Sequence, residues 1–510
     1  MFKKVVVTVF VLFAVFFGTL AVLAADNIKV FNLKNGHTVV IKEVHTNPIV
    51  TIDTWVKTGS ANENDTNNGV AHFLEHLFFK GTKSHPQGEF EKILDGKGGV
   101  YNAATSKDFT HFYITIASQY FDTALDLHSD MLLNPAIPVD DLNRERKVVQ
   151  EEIGRAKDNP SNILYENLNS ILFKKHPYKR TVLGTADIIG SISREEIFNF
   201  YHNWYNPSNM ITVIVGDVDT DSVLAKVQQK FAGKYTDGRQ VKIARAKEPY
   251  LTQKTEKVQK GDYGTGYMMI GFRGVPANNK KESYALDLAA EILGSGRSSR
   301  LYQEIKEKNH LATSISAGHM SMKDDSIFYI SAEFEPQNYE KLKASINEEI
   351  KKLRETPVSA SELKKARTLL QRGFVYSNES TSNVANSIGY TMTIGENIED
   401  YTKYIEGINK ITAEDIQKVA NKYLLDTRMA ISTLLPEKNE KPVANVQDKY
   451  QDVEKRILSN GINLITEKIE PNEIVSLSVF VKGGKFIETI PGISSVVTGT
   501  LLKGTQNRSA

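Results

Sequence analysis

Ile192-Ser193-Arg194-Glu195-Glu196-Ile197, the strand-like Ile211-Thr212-Val213-Ile214-Val215, and the Gly216-Asp217 that follows it decide the fold. The spacing predicts a helix over 192–206, with Ser193 as N-cap and Glu196, three positions on, completing a capping box. Ile211 to Val215 has strand composition, and Gly216-Asp217 is a turn signal. The unit returns later in the chain. Ile411-Thr412-Ala413-Glu414-Asp415-Ile416 repeats the first segment, Met429 matches Met210, and Leu434 matches Val215, all at an offset of 219 positions (192 to 411). Two consecutive domains of similar α/β design are therefore expected, over 26–240 and 250–437. The joint between them, around Asp237 to Glu248, is polar and basic. A third copy begins near 450, after Glu437-Lys438-Asn439-Glu440-Lys441-Pro442. There Asn35-Gly36 recurs as Asn460-Gly461, Ile49-Val50 as Ile474-Val475, Lys57 as Lys482, and Lys80-Gly81-Thr82 as Lys503-Gly504-Thr505. The copy spans 450–510, and about sixty residues cannot bury a core of the size the first copy builds. The sequence is expected to be the N-terminal piece of a longer protein.

Composition narrows the function. The 510 residues carry 63 Lys and Arg against 61 Asp and Glu, a formal charge of +2. A nucleic-acid binder needs a basic excess to release counterions, so no nucleic-acid partner is expected. Hydrophobic residues at 40% and charged residues at 24% exclude wholesale disorder and a collagen-like fibre. The chain has no Cys, which excludes disulfides, thiol nucleophiles and Cys-ligated zinc. Any metal site must use His and carboxylates. Gly294-Ser295-Gly296-Arg297-Ser298-Ser299 is glycine-rich but lacks G-x-x-x-x-G-K-[ST], so it is not read as a phosphate loop.

Lys3 and Lys4 precede an apolar run from Val5 to about Ala25, and Val22-Leu23-Ala24-Ala25 offers small residues where a signal peptidase cuts. Residues 1–25 are expected to be an export signal, with the mature chain in a bacterial periplasm. The run is long for a signal, so an uncleaved membrane anchor is the competing reading.

Gly69-Val70-Ala71-His72-Phe73-Leu74-Glu75-His76 contains H-x-x-E-H. On a helix, His72, Glu75 and His76 fall at i, i+3 and i+4, which is one face. Two imidazoles one turn apart can both reach one zinc ion at ~2.0–2.1 Å, and the carboxylate between them can touch the remaining, water-filled position. His111, on the alternating stretch Asp108-Phe109-Thr110-His111-Phe112-Tyr113, is read as a packed histidine, and His176 before Pro177 as a loop anchor.

A third ligand is expected from the helical stretch Asp141 to Ile153, with Asp140 or Asp141 as N-cap. Helical spacing puts Glu145, Val148, Val149, Glu152 and Ala156 on one face. Arg144, Lys147, Glu151 and Arg155 share another, where alternating signs at i,i+4 mark a solvated surface. Acids on an apolar stripe cost desolvation energy unless paired or metal-bound. Glu152 is thus the ligand candidate, Glu145 its supporting partner, and Glu151 a surface ion-pairing residue.

H-x-x-E-H followed by Glu152, 76 positions after His76, resembles the pitrilysin/insulinase family of zinc peptidases, the inverzincins. Gly98-Gly99 with Asn102-Ala103, His176-Pro177-Tyr178, Tyr205-Asn206-Pro207 and Val215-Gly216-Asp217 carry the resemblance through nearly all of the mature chain. It implies an α+β fold of repeated α/β domains, helices packed on a largely antiparallel sheet, arranged as half of a clamshell. It implies one zinc ion per chain on His72, His76 and Glu152, Glu75 as general base, and Glu145 in support. Substrate backbone would add as a strand near Val100 to Thr105, bound at Asn102 and Ala103. The implied activity is a zinc-dependent endopeptidase acting on peptides or small unfolded proteins.

Two departures qualify the resemblance. In the third copy, Ser495, Thr498 and Gly499 stand in place of His72, Glu75 and His76, so that copy cannot bind the metal. Family members also hold substrate with an Arg/Tyr pair from the opposite half of the clamshell. In the matching stretch, Arg300-Leu301-Tyr302-Gln303-Glu304-Ile305-Lys306 to Leu311-Ala312-Thr313, Lys306 and Thr313 occupy those places. The missing C-terminal half or a second subunit is expected to supply the pair. The competing reading is a non-catalytic or partner-dependent subunit of a processing or scaffold complex.

Overall fold

The computed structural model describes residues 28–232, 245–437, 453–467, 477–484, 487–501, 504–505 and 508–509. Six strands make the first sheet: β1 (Ile28–Asn32), β2 (Thr38–Glu43), β3 (Ile49–Val56), β4 (Val100–Thr105), β5 (Thr110–Ala117) and β6 (Met210–Gly216), in the order β1-β2-β6-β3-β5-β4. Only β2 and β6 pair parallel. The second sheet holds β7 (Thr255–Gly261), β8 (Gly266–Arg273), β9 (Ser314–Ser321), β10 (Ser326–Phe334) and β11 (Ala430–Pro436), in the order β7-β11-β8-β10-β9. Here only β7 and β11 are parallel. With β1 set aside, the two orders correspond strand for strand, so the sequence repeat is a repeat of topology. The fold is α+β, with helices on two largely antiparallel sheets.

Local chemistry explains why the repeat folds twice. Ser193 caps the helix Arg194–Trp204 and Glu196 returns the bond, a complete capping box. Thr412 and Asp415 do the same for the helix Ala413–Tyr423. Each helix then leads into an interior strand of its sheet, β6 or β11.

The sheets are covered on both faces because they exchange helices. Val40, Trp55, Ile211, Val213 and Val215 of the first sheet pack against Val384, Ala385, Ile388 and Met392 of the helix Thr381–Ile394. Conversely, Leu168, Ile171 and Leu172 of the helix Pro160–Leu172 pack with Ile327 and Ala430 of the second sheet. Gly389 is required at the first contact, since a Cβ there would lie 2.0 Å from Trp55 Nε1. Strands buried on both faces read as continuous apolar runs, and every residue of β6 is buried. The two sheets belong to one compact unit that runs to Asn439.

Residues from Glu440 onward form a separate unit. It holds a hairpin, Val453–Ile457 with Asn463–Glu467, and a helix, Ile493–Thr500. The export-signal segment 1–25, positions 237–244 of the joint, Ile474-Val475 and Lys503 lie outside the described residues. Among the described residues no helix is long and apolar enough to cross a membrane.

Candidate metal centre

The motif helix Val70–Phe78 buries Val70, Ala71, Phe73, Leu74, Leu77 and Phe78 in the core of the first sheet. That burial fixes its rotation and turns His72, Glu75 and His76 together toward the long helix Val139–Asp158. Glu152 of the long helix completes the group: one ligand atom each from His72, His76 and Glu152 lie within 4.8 Å of one another. Glu152 Oε2 stands 3.7 Å from His72 Nε2 and 3.4 Å from His76 Nε2. Two ligands at ~2.0–2.1 Å from a tetrahedral ion are about 3.3–3.4 Å apart, so this spacing fits zinc. Two imidazole nitrogens and a carboxylate oxygen are also a zinc donor set.

The surroundings prepare each donor. Glu145 Oε1 lies 2.8 Å from His76 Nδ1, and Lys80 Nζ lies 2.7 Å from Glu145 Oε2. With Nδ1 engaged by a carboxylate, His76 presents Nε2 to the site. Burial tends to lower the His76 pKa, but the bond and charge of Glu145 outweigh it and the net shift is upward. Burial likewise tends to raise Glu145, and His76 and Lys80 outweigh that and hold it down. His72 is pushed down to about 3 by burial and by its neighbour His76, which keeps the ring in the neutral form a metal takes. Burial raises Glu75, partly offset by a hydrogen bond from Thr105 Oγ1 to Glu75 Oε2. Thr105 ends β4, so the motif helix is tied directly to the edge of the sheet.

Asn102 and Ala103 lie on β4 itself, paired with Tyr113 and Phe112 of β5. β4 is the last strand of its sheet, and its far side has no strand partner among the described residues. Asn102 is exposed, and its Oδ1 accepts from Ala103 N at 2.9 Å. Lys306 sits on the π-helical segment Tyr302–Lys308 with its Nζ 5.3 Å from the Tyr302 ring centroid. Thr313 precedes β9 and its Oγ1 donates to Glu333 O. His111 is buried, 3.0 Å from Asp53 Oδ1 and stacked on Trp55, and His176 Nδ1 accepts from Tyr178 N.

Sequence reasoning erred on the long helix in two respects. Neither Asp140 nor Asp141 is its N-cap; Pro138 takes that place without a side-chain bond, and both acids fall in the first turn, where they complement the helix dipole. Val148 is 42% exposed, and Ile153 is buried with Glu145 and Val149 instead. The helix thus turns its apolar stripe slightly from the phase the spacing suggests. Two residues were missed altogether: Thr105, and Glu63, a buried acid at the start of the motif helix. Both contacts join residues that are distant or non-periodic in sequence, so no pattern announces them.

The site and the fold define a class, an α+β repeat protein with an H-x-x-E-H zinc-type donor set. Residues 38–186 match Insulinase (Peptidase family M16), and residues 191–370 match the Peptidase M16 inactive domain. The chain is 32% identical over 409 residues to the zinc protease PqqE of Helicobacter pylori, covering 79% of this chain and 92% of that protein. It is 28% identical to a probable mitochondrial-processing peptidase subunit beta of Arabidopsis thaliana, covering 81% and 80%. A crystal structure of a protease from Helicobacter pylori superposes with a TM-score of 0.76 at 31% identity, over 81% of this chain and all of that one. The chain belongs to the insulinase family, peptidase family M16.

Proposed function

We propose that this protein is a zinc-dependent endopeptidase of peptides or small unfolded proteins, working outside the cytoplasm behind a cleaved export signal. The observation that carries the reading is the convergence of His72, His76 and Glu152 with Glu75 held beside them by Thr105. His72, His76 and Glu152 would hold one zinc ion. When bound, zinc supplies Lewis acidity and brings the pKa of water toward ~7. Glu75 lies outside the donor trio, so its carboxylate is free to take a proton from the attacking water and return it to the leaving amine. Its raised pKa suits that exchange, because a base poised nearer neutrality both accepts and releases the proton. The open edge of β4 suits an extended peptide, which would pair through its backbone near Asn102 and Ala103 with little regard to sequence.

Lys306 and Thr313 favour a partner-dependent form of this activity. Neither supplies the Arg or Tyr that the family resemblance calls for, so another subunit or a further stretch of polypeptide would provide the substrate-holding pair. The test is a zinc titration of metal-free protein, with peptide turnover followed on the same samples. One zinc per chain is expected in the parent protein, and Glu152→Ala should lose it. A parent protein that takes up no zinc would sink the reading.

A further inference from the structure

We infer that Glu63 positions His72 by anchoring the start of the motif helix; the inference rests on the zinc reading above. The helix Val70–Phe78 opens at Gly69, which has φ +99° and no side chain to cap it. No capping residue can replace it, because a Cβ at Gly69 would lie 2.6 Å from Leu183 O. The cap comes instead from a carboxylate outside the helix. Glu63 Oε2 accepts from Gly69 N at 2.8 Å and from Asn68 Nδ2 at 2.7 Å, and Glu63 Oε1 accepts from Ala71 N at 2.8 Å. Asn68 Nδ2 also donates to Thr181 O at 2.8 Å, which fixes the amide. Glu63 is only 5% exposed, and burial drives its carboxyl up to about 7 against these donors. Placing an acid there is costly unless its lone pairs are used, and two backbone N–H groups at the helix N-terminus, with the Asn68 side-chain amide, use them.

The two imidazoles differ in what orients them. His76 is held through Nδ1 by Glu145. His72 Nδ1 is buried with no hydrogen-bond partner among the described residues. The placement of the His72 ring therefore depends on packing and on its backbone, and the N–H immediately before it, that of Ala71, is among those Glu63 holds. Without the cap, the first turn has orphan donors and frays, and His72 is the third residue of that turn.

The device recurs where no ligand follows it. In the third copy, Glu488 Oε2 accepts from Gly492 N at 2.8 Å and Glu488 Oε1 from Ser494 N at 3.1 Å, at the start of the helix in which Ser495 replaces His72. The cap thus belongs to the repeat, and in the first copy it is buried and leads directly into a ligand. Glu43 offers a matched control. Its Oε1 accepts from Thr220 N at 2.9 Å at the start of the helix Thr220–Phe231, which carries no ligand.

The experiment uses the full chain with Glu63→Gln, Glu63→Asp and Glu43→Gln. Zinc Kd is measured by competition with a chromophoric chelator well below the melting temperature, and Tm is recorded on the same samples. The amide of Glu63→Gln keeps the volume but aims an N–H at an N–H, so its zinc Kd should rise ~10-fold or more, the scale of outer-sphere losses. Glu63→Asp keeps the acceptors one methylene short and should fall between it and the parent. Glu43→Gln should lower Tm and leave Kd as in the parent. A parent-like Kd in every Glu63 variant that folds overturns the inference, and so does an equal loss of affinity in Glu43→Gln. Absence of zinc binding in the parent protein is a different result, which removes the metal reading itself.

Discussion

The two sheets share one strand order and carry different chemistry. In the first, the motif helix lies beside the edge strand β4, with Glu75 tied to Thr105. In the second, the helix Lys280–Gly294 lies beside the edge strand β9, with His319 Nδ1 2.7 Å from Asp287 Oδ1. An acid on the helix bonded to a residue on the edge strand is therefore part of the scaffold. It does not by itself mark a catalytic base. At Gly294 the second helix comes so close that a Cβ would lie 1.9 Å from Ala317 N, so nothing can enter between helix and strand there. The first sheet differs in what faces its helix from outside: the long helix brings Glu145 and Glu152.

The largest effect should separate the two acids. Glu75→Gln should keep its zinc and lose turnover by ~10²–10⁴-fold, the usual worth of a positioned general base. Asp287→Asn should leave zinc content and turnover unchanged and cost about 1 kcal/mol of stability, through one weakened, half-buried bond. Metal analysis, peptide turnover and denaturant melts on both variants make the comparison. Loss of zinc in Glu75→Gln would show that Glu75 is a ligand and that the roles on the helix are misassigned.

Glu145 comes next. It holds His76 and is held by Lys80, but it does not join the three donors. Glu145→Gln should weaken zinc by ~10–100-fold and leave the metal stoichiometry at saturation intact. A chelator titration reads this directly. An unchanged Kd would mean that burial alone orients His76.

A smaller effect lies where the sheets meet. The β4–β5 turn carries Lys107-Asp108 and the β9–β10 turn carries Lys323-Asp324, the same pair in corresponding places. Arg245 joins them, with Nη1 donating to Asp108 Oδ1 at 2.6 Å and to Asp324 Oδ2 at 2.7 Å. Burial tends to raise Asp324, but His176 and Arg245 outweigh it and bring its carboxyl down to about 2. A carboxyl lowered on folding stabilises above its unfolded pKa, near 4, and that stability is lost as pH falls through about 2. The shift corresponds to at most about 2 kcal/mol, reduced by solvent screening because the side chain is 32% exposed. Between pH 4.5 and 2, the parent protein should therefore lose more stability than Asp324→Asn. Identical slopes would show that the joint does not depend on this charge.

Much of this molecule is written in periodic signals, and the rest is not. Ser193 with Glu196 and Thr412 with Asp415 mark helices by local spacing, and the spacing is met in the structure. H-x-x-E-H places three side chains on one helical face for the same reason. The exchange of helices between sheets was not legible, because Trp55 against Gly389 and Leu168 against Gly271 are contacts between distant segments that share no pattern. Glu63 was illegible for a related reason: a cap from outside the helix, six residues before Gly69, has no fixed offset to search for.

The smallest predicted effect tests the sharpest distinction. Glu151 and Glu152 are neighbours on one helix, and successive helical residues point ~100° apart. Glu152 turns its carboxylate toward His72 and His76, whereas Glu151 is exposed to solvent. An exposed acid contributes ~0–1 kcal/mol through any surface pair it makes. Glu151→Ala should therefore match the parent in zinc Kd and in turnover, with a Tm change near the error of the measurement. The expectation depends on helical phase alone, and the phase of this helix was the feature the sequence placed least well, since Val148 proved exposed and Ile153 buried. A rotation large enough to exchange the two acids would also carry Glu145 away from His76, where it stands at 2.8 Å. Loss of zinc in Glu151→Ala would thus contradict the Glu145 contact together with the ligand choice, and one variant examines both.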